Sequence, residues 1–383
     1  MIEARDFVDA CVKRDFSLWS GVPCALLDPF IEYVTGSRNL DYVAATSGGE
    51  ALAIAAGAAL GGRGGVAICP NTSLGDMVDP LTSLIFPYRL PLLLIVTQRG
   101  SEELGDGPPQ ELLGRITGEL LARLRVESEP FPEEVAAIEP ALARAAESME
   151  SNGLPFAFVM QRPCVEAPPR RERPRPARRV CEESAGSFLR DPAQRMTRLE
   201  AVRAIREALT GEEAVIASTG GAGRELFALG HRSHQFYVAG SLGGAAALGL
   251  GVARARRRRN VVVLDGDGAA LMRLGTLATI GHCGPPRLTH VLLDNEAHET
   301  TGGQPSAAAS IDLAAVAVAC GYANVWWTDD PAELAARIAE AQKRKGPSFV
   351  HVKLRLSGEP APGPLRLAPV QIKHQFMDFV QER

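Results

Sequence analysis

Leu264-Asp265-Gly266-Asp267-Gly268 closes an unbroken apolar run that begins at Val261, and Asn295 follows Asp267 by 28 residues, just beyond a second such run. Residues 261–265 and 289–294 therefore read as buried strands. One leads into Asp267 and the other into Asn295. Open parallel sheets bind ligands outside the carboxyl ends of their strands. Gly266 and Gly268 remove side-chain bulk beside Asp267, so backbone and carboxylate can both approach a ligand. One carboxylate, one amide oxygen and one backbone carbonyl suit a Mg²⁺ ion that keeps its other positions for diphosphate oxygens and water. The stretch is expected to hold a metal-bound diphosphate. The alternative is an ordinary α/β turn in which Gly and Asp serve conformation alone.

Working outward, the second half of the chain offers further strands at 214–218, 324–327 and 348–353, with Ala-rich helical patterns at 244–255 and 331–345 between them. The first half offers strands at 65–69, 91–97 and 156–160 and helices at 51–60 and 133–150. Strands alternating with helices predict parallel sheets covered on both faces. The fold class expected is α/β, with two doubly wound parallel-sheet domains, and 383 residues suffice for two. Between Arg162 and Arg190 the composition breaks: Pro163, Pro168, Pro169, Pro174 and Pro176 alternate with Arg170, Arg171, Arg173, Arg175, Arg178 and Arg179. Proline removes donors and like charges repel, which predicts an extended connector. The expected division is a domain at 1–165, a connector at 166–192 and a domain at 193–383.

Hydrophobic content of 46% with 22% charged residues fits a globular protein, and a net charge of −4 favours neither nucleic acid nor a membrane surface as partner. The arginines of the connector lack aromatic interleaving, so they read as a solvated run. The basic run 254–259 reads as the solvent-facing end of a helix, favourable against its dipole. No apolar run reaches membrane-spanning length and the first residues lack a signal-peptide core, so a cytoplasmic location is expected. Seven cysteines without a CxxC pair indicate neither a disulfide framework nor a zinc site.

Several segments recur in order: Gly21-Val22-Pro23-Cys24-Ala25-Leu26-Leu27, Asp79-Pro80-Leu81-Thr82-Ser83-Leu84, Gly114-Arg115-Ile116-Thr117, Arg224-Glu225-Leu226, Gly240-Ser241-Leu242-Gly243, Asp265 to Met272 and Gly302-Gly303-Gln304-Pro305. Together they resemble the thiamine-diphosphate-dependent phosphonopyruvate decarboxylase family, close kin of sulfopyruvate decarboxylases, and the Asp267 stretch resembles the thiamine-diphosphate signature. The resemblance implies a pyrimidine-binding domain followed by a diphosphate-binding domain with no middle domain. It also implies a homodimer or higher homo-oligomer with the cofactor between subunits. By it, Asp267, Asn295 and the Ala297 carbonyl hold Mg²⁺, and Gly240, Ser241, Leu242, Gly266, Gly268 and Ala269 line the thiamine diphosphate. Leu242 would support the bent cofactor and the Gly240 carbonyl would accept from its 4′-amino group. The implied reaction adds the thiazolium to a small anionic 2-oxo acid and holds the electron pair as CO₂ leaves.

For the anionic end of such a substrate, Arg99 and Arg115 are candidates, because guanidinium forks suit oxyanions. Asn71, Thr72 and Ser73 follow a strand and are candidates for the oxo acid's polar groups. His298, three residues beyond Asn295, is a candidate proton donor.

The sequence departs from the family at points that matter. Thiamine enzymes usually activate the cofactor with a glutamate bonded to N1′ of the aminopyrimidine, and alignment backwards from Ala55-Ala56-Gly57 places that position at Gly48. Glu50 lies two residues on, which in a helix turns it to the far side, so it is the candidate only on a reshaped 46–49 loop. Gly244 stands where the family has His. Asp294 and Glu296 replace Asn and Gly, and Glu299-Thr300-Thr301 replaces a segment beginning with Asp. Extra carboxylates repel a diphosphate unless they face away or bind cations. The expected activity is decarboxylation of 3-phosphonopyruvate. The alternatives are sulfopyruvate as substrate, a carboligase, or a cofactor binder without turnover. A dinucleotide-binding reading of Gly220-Gly221-Ala222-Gly223 fails on GxGxxG spacing.

Overall fold

The apolar runs fold into two sheets, each parallel throughout. In a computed structural model that describes residues 1–100, 106–166, 179–358 and 362–382, the chain divides into the units Met1–Pro176 and Ala177–Arg383. Across the first sheet the strands run Asp41–Ala44, Phe16–Gly21, Gly64–Pro70, Leu93–Thr97, Phe156–Met160 and Glu127–Pro130. Across the second they run Gln235–Tyr237, Ala214–Ala217, Val261–Gly266, Leu288–Asp294, Ser348–Lys353, Asn324–Thr328 and Glu183–Ser187. The α/β class with parallel sheets is as the sequence reads.

Burial on both faces explains the unbroken apolar strands. Val261, Val262, Val263 and Leu264 are all fully buried, each contributing about 1.5–3 kcal/mol relative to exposure. Helix Ala245–Ala255 packs on Val261–Gly266, and Gly249 lets it approach, since a Cβ there would strike Val263. In the first unit, helix Gly48–Leu60 packs on Gly64–Pro70 and Phe16–Gly21.

Strand order reverses beside Val261–Gly266 in the second sheet and beside Phe16–Gly21 in the first. Reversal opens a crevice at the carboxyl ends, because neighbouring connections leave on opposite sides of the sheet.

The stretch expected as a connector, 166–192, meets strand pairing toward both of its ends. Val165–Glu166 pairs in parallel with Ile2–Glu3. Glu183–Ser187 forms the edge strand of the second sheet against Asn324–Thr328, with Glu183 accepting from Trp326 Nε1 at 2.9 Å. The Pro/Arg residues at 167–178 lie outside the described residues. Among the described residues no helix is long and apolar enough to cross a membrane.

Candidate active site

At the reversal point of the second sheet, three strand ends surround a cavity of about 290 Å³. Thr219–Ala222 follows the first strand, Gly266–Ala269 the second, and Asn295 with residues 297–301 the third, and Leu242, Leu293, Arg198 and Arg224 complete the lining. Strand passes into helix at Gly266, so Asp267 opens helix Asp267–Met272 with its carboxylate buried. Ser306 Oγ donates to Asp267 Oδ2. Burial pushes the Asp267 carboxyl above its usual range against that bond, and the neighbouring Asp294 adds to the rise. A cation would reverse this cost.

Asn295, at the end of the third strand, lines the same cavity. Its Oδ1 accepts from Ala297 N at 3.2 Å and its Nδ2 donates to Glu299 Oε2 at 3.1 Å. Among the described residues no three His, Cys, Asp or Glu converge as a metal-binding group. A cation at Asp267 would therefore draw on amide, carbonyl and ligand oxygens, a donor set that suits Mg²⁺. His298 stacks over Gly268, where a Cβ would come within 2.5 Å of the imidazole. Gly240, Ser241 and Leu242 form a turn in which Ser241 takes a left-handed φ of 52°. Gly244 Nα donates to Ser241 O at 2.8 Å, and a Cβ at Gly244 would lie 2.9 Å from Ser241 Oγ.

The two extra carboxylates are neutralised rather than aimed at the cavity. Asp294 is fully buried and accepts from His351 Nε2 and Lys353 Nζ, each at 2.7 Å. Burial alone would raise its pKa, but these bonds hold the carboxyl below its usual range. Glu296 lies 2.5 Å from the same Lys353 Nζ and adopts a left-handed φ of 60°, the conformation for which Gly is preferred. Glu299 is held by Ser357 and by Arg198.

In the first unit, Glu50 sits in the first turn of helix Gly48–Leu60, where Ser47 caps its N–H. It is buried, and one oxygen, Oε2, accepts from Thr46 N and Oγ1 at 2.5 and 2.6 Å. The other oxygen, Oε1, is buried without a hydrogen-bond partner. Gly48 is closed to a side chain: its Cβ would lie 2.6 Å from Ser73 O. The turn Asn71–Ser73 follows its strand as expected, but only Thr72 is exposed. Asn71 is fully buried and donates to Arg99 O and Thr117 Oγ1 at 2.8 and 3.0 Å. Arg99 leaves its strand end and pairs with Asp106, Nε to Oδ1 at 2.7 Å. Arg115 lies on the exposed face of helix Pro108–Arg123, 2.5 Å from Glu111.

Thus the structure brings Leu242, Gly266, Asp267, Gly268, Ala269, Asn295, Ala297 and His298 to one cavity. Sequence reading missed Ser306, Arg198, His351 and Lys353, whose partners are distant in the chain. Only Glu225, in the Arg224-Glu225-Leu226 segment, carried a signal.

Residues 225–352 match the thiamine pyrophosphate enzyme C-terminal TPP-binding domain. Over 382 residues the chain is 38% identical to a phosphonopyruvate decarboxylase of Streptomyces viridochromogenes, covering 99% of this chain and 95% of the relative. The chain belongs to the phosphonopyruvate decarboxylase family. Members of that family are thiamine-diphosphate-dependent decarboxylases. Two subunits of sulfopyruvate decarboxylase from Methanothermobacter thermautotrophicus also match. The beta subunit is 41% identical over 42% of this chain and 83% of its own length. The alpha subunit is 33% identical over 29% of this chain and 66% of its own length. In fold, the chain resembles the benzoylformate decarboxylase structure from Polynucleobacter necessarius, with a TM-score of 0.72 at 14% identity, covering 94% of this chain and all of that one.

Proposed function

We propose that this protein decarboxylates 3-phosphonopyruvate to phosphonoacetaldehyde and CO₂, using thiamine diphosphate and Mg²⁺. The observation that carries the reading is the buried Asp267 carboxylate beside Asn295 at the strand-order reversal, in a chain related to phosphonopyruvate decarboxylase along its whole length. Asp267, Asn295 and the Ala297 carbonyl would hold the cation, and Gly266 and Gly268 leave room for the diphosphate. Leu242 would support the bent cofactor, with the Gly240 carbonyl and Ser241 at its pyrimidine side. The bound cofactor supplies the electron sink for loss of CO₂.

The chain's own groups do the rest. His298 delivers the proton that replaces the carboxylate on the former carbonyl carbon. Glu50, with one oxygen unpartnered, is the carboxylate available to the pyrimidine. Thr72, exposed at a strand end, and Arg99 are the foremost candidates for the substrate's polar and anionic ends. Asn71 and Ser73 serve them by holding the turn, and Arg115 would contribute only by leaving Glu111. The active form is a homo-oligomer with sites between subunits, located in the cytoplasm. Sulfopyruvate is the second substrate reading, supported by the beta-subunit identity.

The test is ¹³C NMR of the purified protein with thiamine diphosphate, Mg²⁺ and labelled 3-phosphonopyruvate, beside sulfopyruvate and pyruvate. Enzyme-dependent CO₂ and phosphonoacetaldehyde are expected. No turnover of any substrate with cofactor bound would overturn the reading in favour of carboligation or a silent binder.

A further inference from the structure

Arg198, the first residue of helix Arg198–Ala208, reaches the cavity with a side chain only 10% exposed. Its Nε and one terminal nitrogen donate to the two oxygens of Glu225 at 3.0 and 2.9 Å. The other terminal nitrogen lies 2.6 Å from Glu299 Oε2. Glu225 belongs to helix Gly221–Ala228, whose start forms one wall of the cavity, and Glu299 belongs to the opposite wall. A Cβ at Gly221 would overlap the guanidinium, so the glycine loop is wrapped directly on Arg198. One cation therefore ties together the loop after Ala214–Ala217 and the loop after Leu288–Asp294.

The tie reaches Asn295. Glu299 Oε2, which Arg198 holds, also accepts from Asn295 Nδ2 at 3.1 Å. An ionised carboxylate only accepts, so it can face only the NH₂ side of an amide. Glu299 on the NH₂ side and Ala297 N on the oxygen side thereby set which way the Asn295 amide points. Its Oε1 is fixed by Ser357 N and Oγ, both at 2.8 Å.

We propose that Arg198 and Glu299 are positioning residues for the cation. They orient the Asn295 amide with its oxygen toward the metal and fix the spacing of the two walls that take the diphosphate. The inference rests on the Mg²⁺–thiamine diphosphate reading of this cavity. Outer partners of metal ligands typically change metal affinity about 10- to 100-fold when removed.

The experiment is calorimetric titration of thiamine diphosphate into the full chain at a series of MgCl₂ concentrations. The proteins are wild type, Arg198→Lys, Glu299→Ala and Glu299→Gln, each with its cofactor-free melting temperature. The Mg²⁺ concentration for half-saturation should rise about 10- to 100-fold in Glu299→Ala and Arg198→Lys. It should rise less in Glu299→Gln, whose amide can meet Asn295 either way round while the cofactor-free melting temperature stays at the wild-type value. Should Arg198→Lys fail to fold, the two Glu299 variants decide. Wild-type Mg²⁺ dependence in both of them overturns the inference. Failure of the wild type itself to bind the cofactor with Mg²⁺ overturns the reading of the cavity, and the inference with it.

Discussion

At the scale of single residues, packing constrains positions 48 and 353 in ways that can be tested. Gly48 faces the Ser73 carbonyl, and a backbone oxygen cannot swing aside as a flexible side chain can. Gly48→Ala should therefore destabilise by about 1–3 kcal/mol despite alanine's better helix propensity. Urea unfolding that shows a gain would refute this. Lys353 is the second case. It serves Asp294, which is fully buried, and Glu296, which is half-buried. Lys353→Met should cost about 3–5 kcal/mol, because it leaves an underpaired buried charge. Adding Asp294→Asn to Lys353→Met should recover most of that loss. A double variant no more stable than the single one would show that the pair is not what Lys353 stabilises. These couplings were illegible in the sequence for a physical reason: Asp294 meets His351 across 57 positions, and Asp267 meets Ser306 across 39. Asp267 and Asn295 were legible because each follows a strand whose apolar run marks its end.

At the scale of elements, legibility followed burial. Central strands such as Leu93–Thr97 and Phe156–Met160 are buried at every position and read as unbroken apolar runs. Most of the missed strands are short, polar or at an edge; the exception is Phe16–Gly21, an inner strand buried from Leu18 to Gly21. Glu127–Pro130 is mostly exposed, and Glu183–Ser187 has no apolar alternation. The latter joins the sheet through backbone contact at Gly186, where a Cβ would strike the Trp327 carbonyl. Gly186→Val should detach this edge, and hydrogen–deuterium exchange should quicken across residues 183–187. Unchanged protection there would show that the contact yields. The turn into strand Gln235–Tyr237 carries a pH response. His234 is buried, with Nδ1 against Glu213 O at 2.9 Å and Nε2 unpartnered. Burial lowers its pKa below 6.5, so the unfolded chain takes up a proton more readily than the folded one. Stability is thus present above pH 6.5 and falls as pH drops through that value toward the folded pKa. His234→Phe should flatten this part of the profile in urea melts between neutral and mildly acidic pH. An identical slope in the variant would place the acid sensitivity elsewhere.

At the scale of the whole molecule, two units each carry a complete parallel sheet, of six and seven strands. Each sheet is covered by helices from its own unit, and the first has a core of its own built around Phe7, Trp19, Phe30 and Phe158. A sheet buried on both faces within its own unit does not need the other unit to exclude water. The division into two chains in the sulfopyruvate decarboxylase of Methanothermobacter thermautotrophicus fits this independence. Residues 1–176 and 177–383, expressed as separate chains, should each fold cooperatively. Their readout is far-ultraviolet circular dichroism through a thermal melt. The cavity with Asp267 and Asn295 lies wholly in the second chain, whereas Glu50 lies wholly in the first. If the cofactor sits between subunits, the second chain alone should bind Mg²⁺–thiamine diphosphate more weakly than the full protein, and mixing the two chains should restore the affinity. Equal affinity for the second chain alone would mean that the first contributes nothing to holding the cofactor. Glu50 would then lose its claim on the pyrimidine, and the between-subunit site would fall with it.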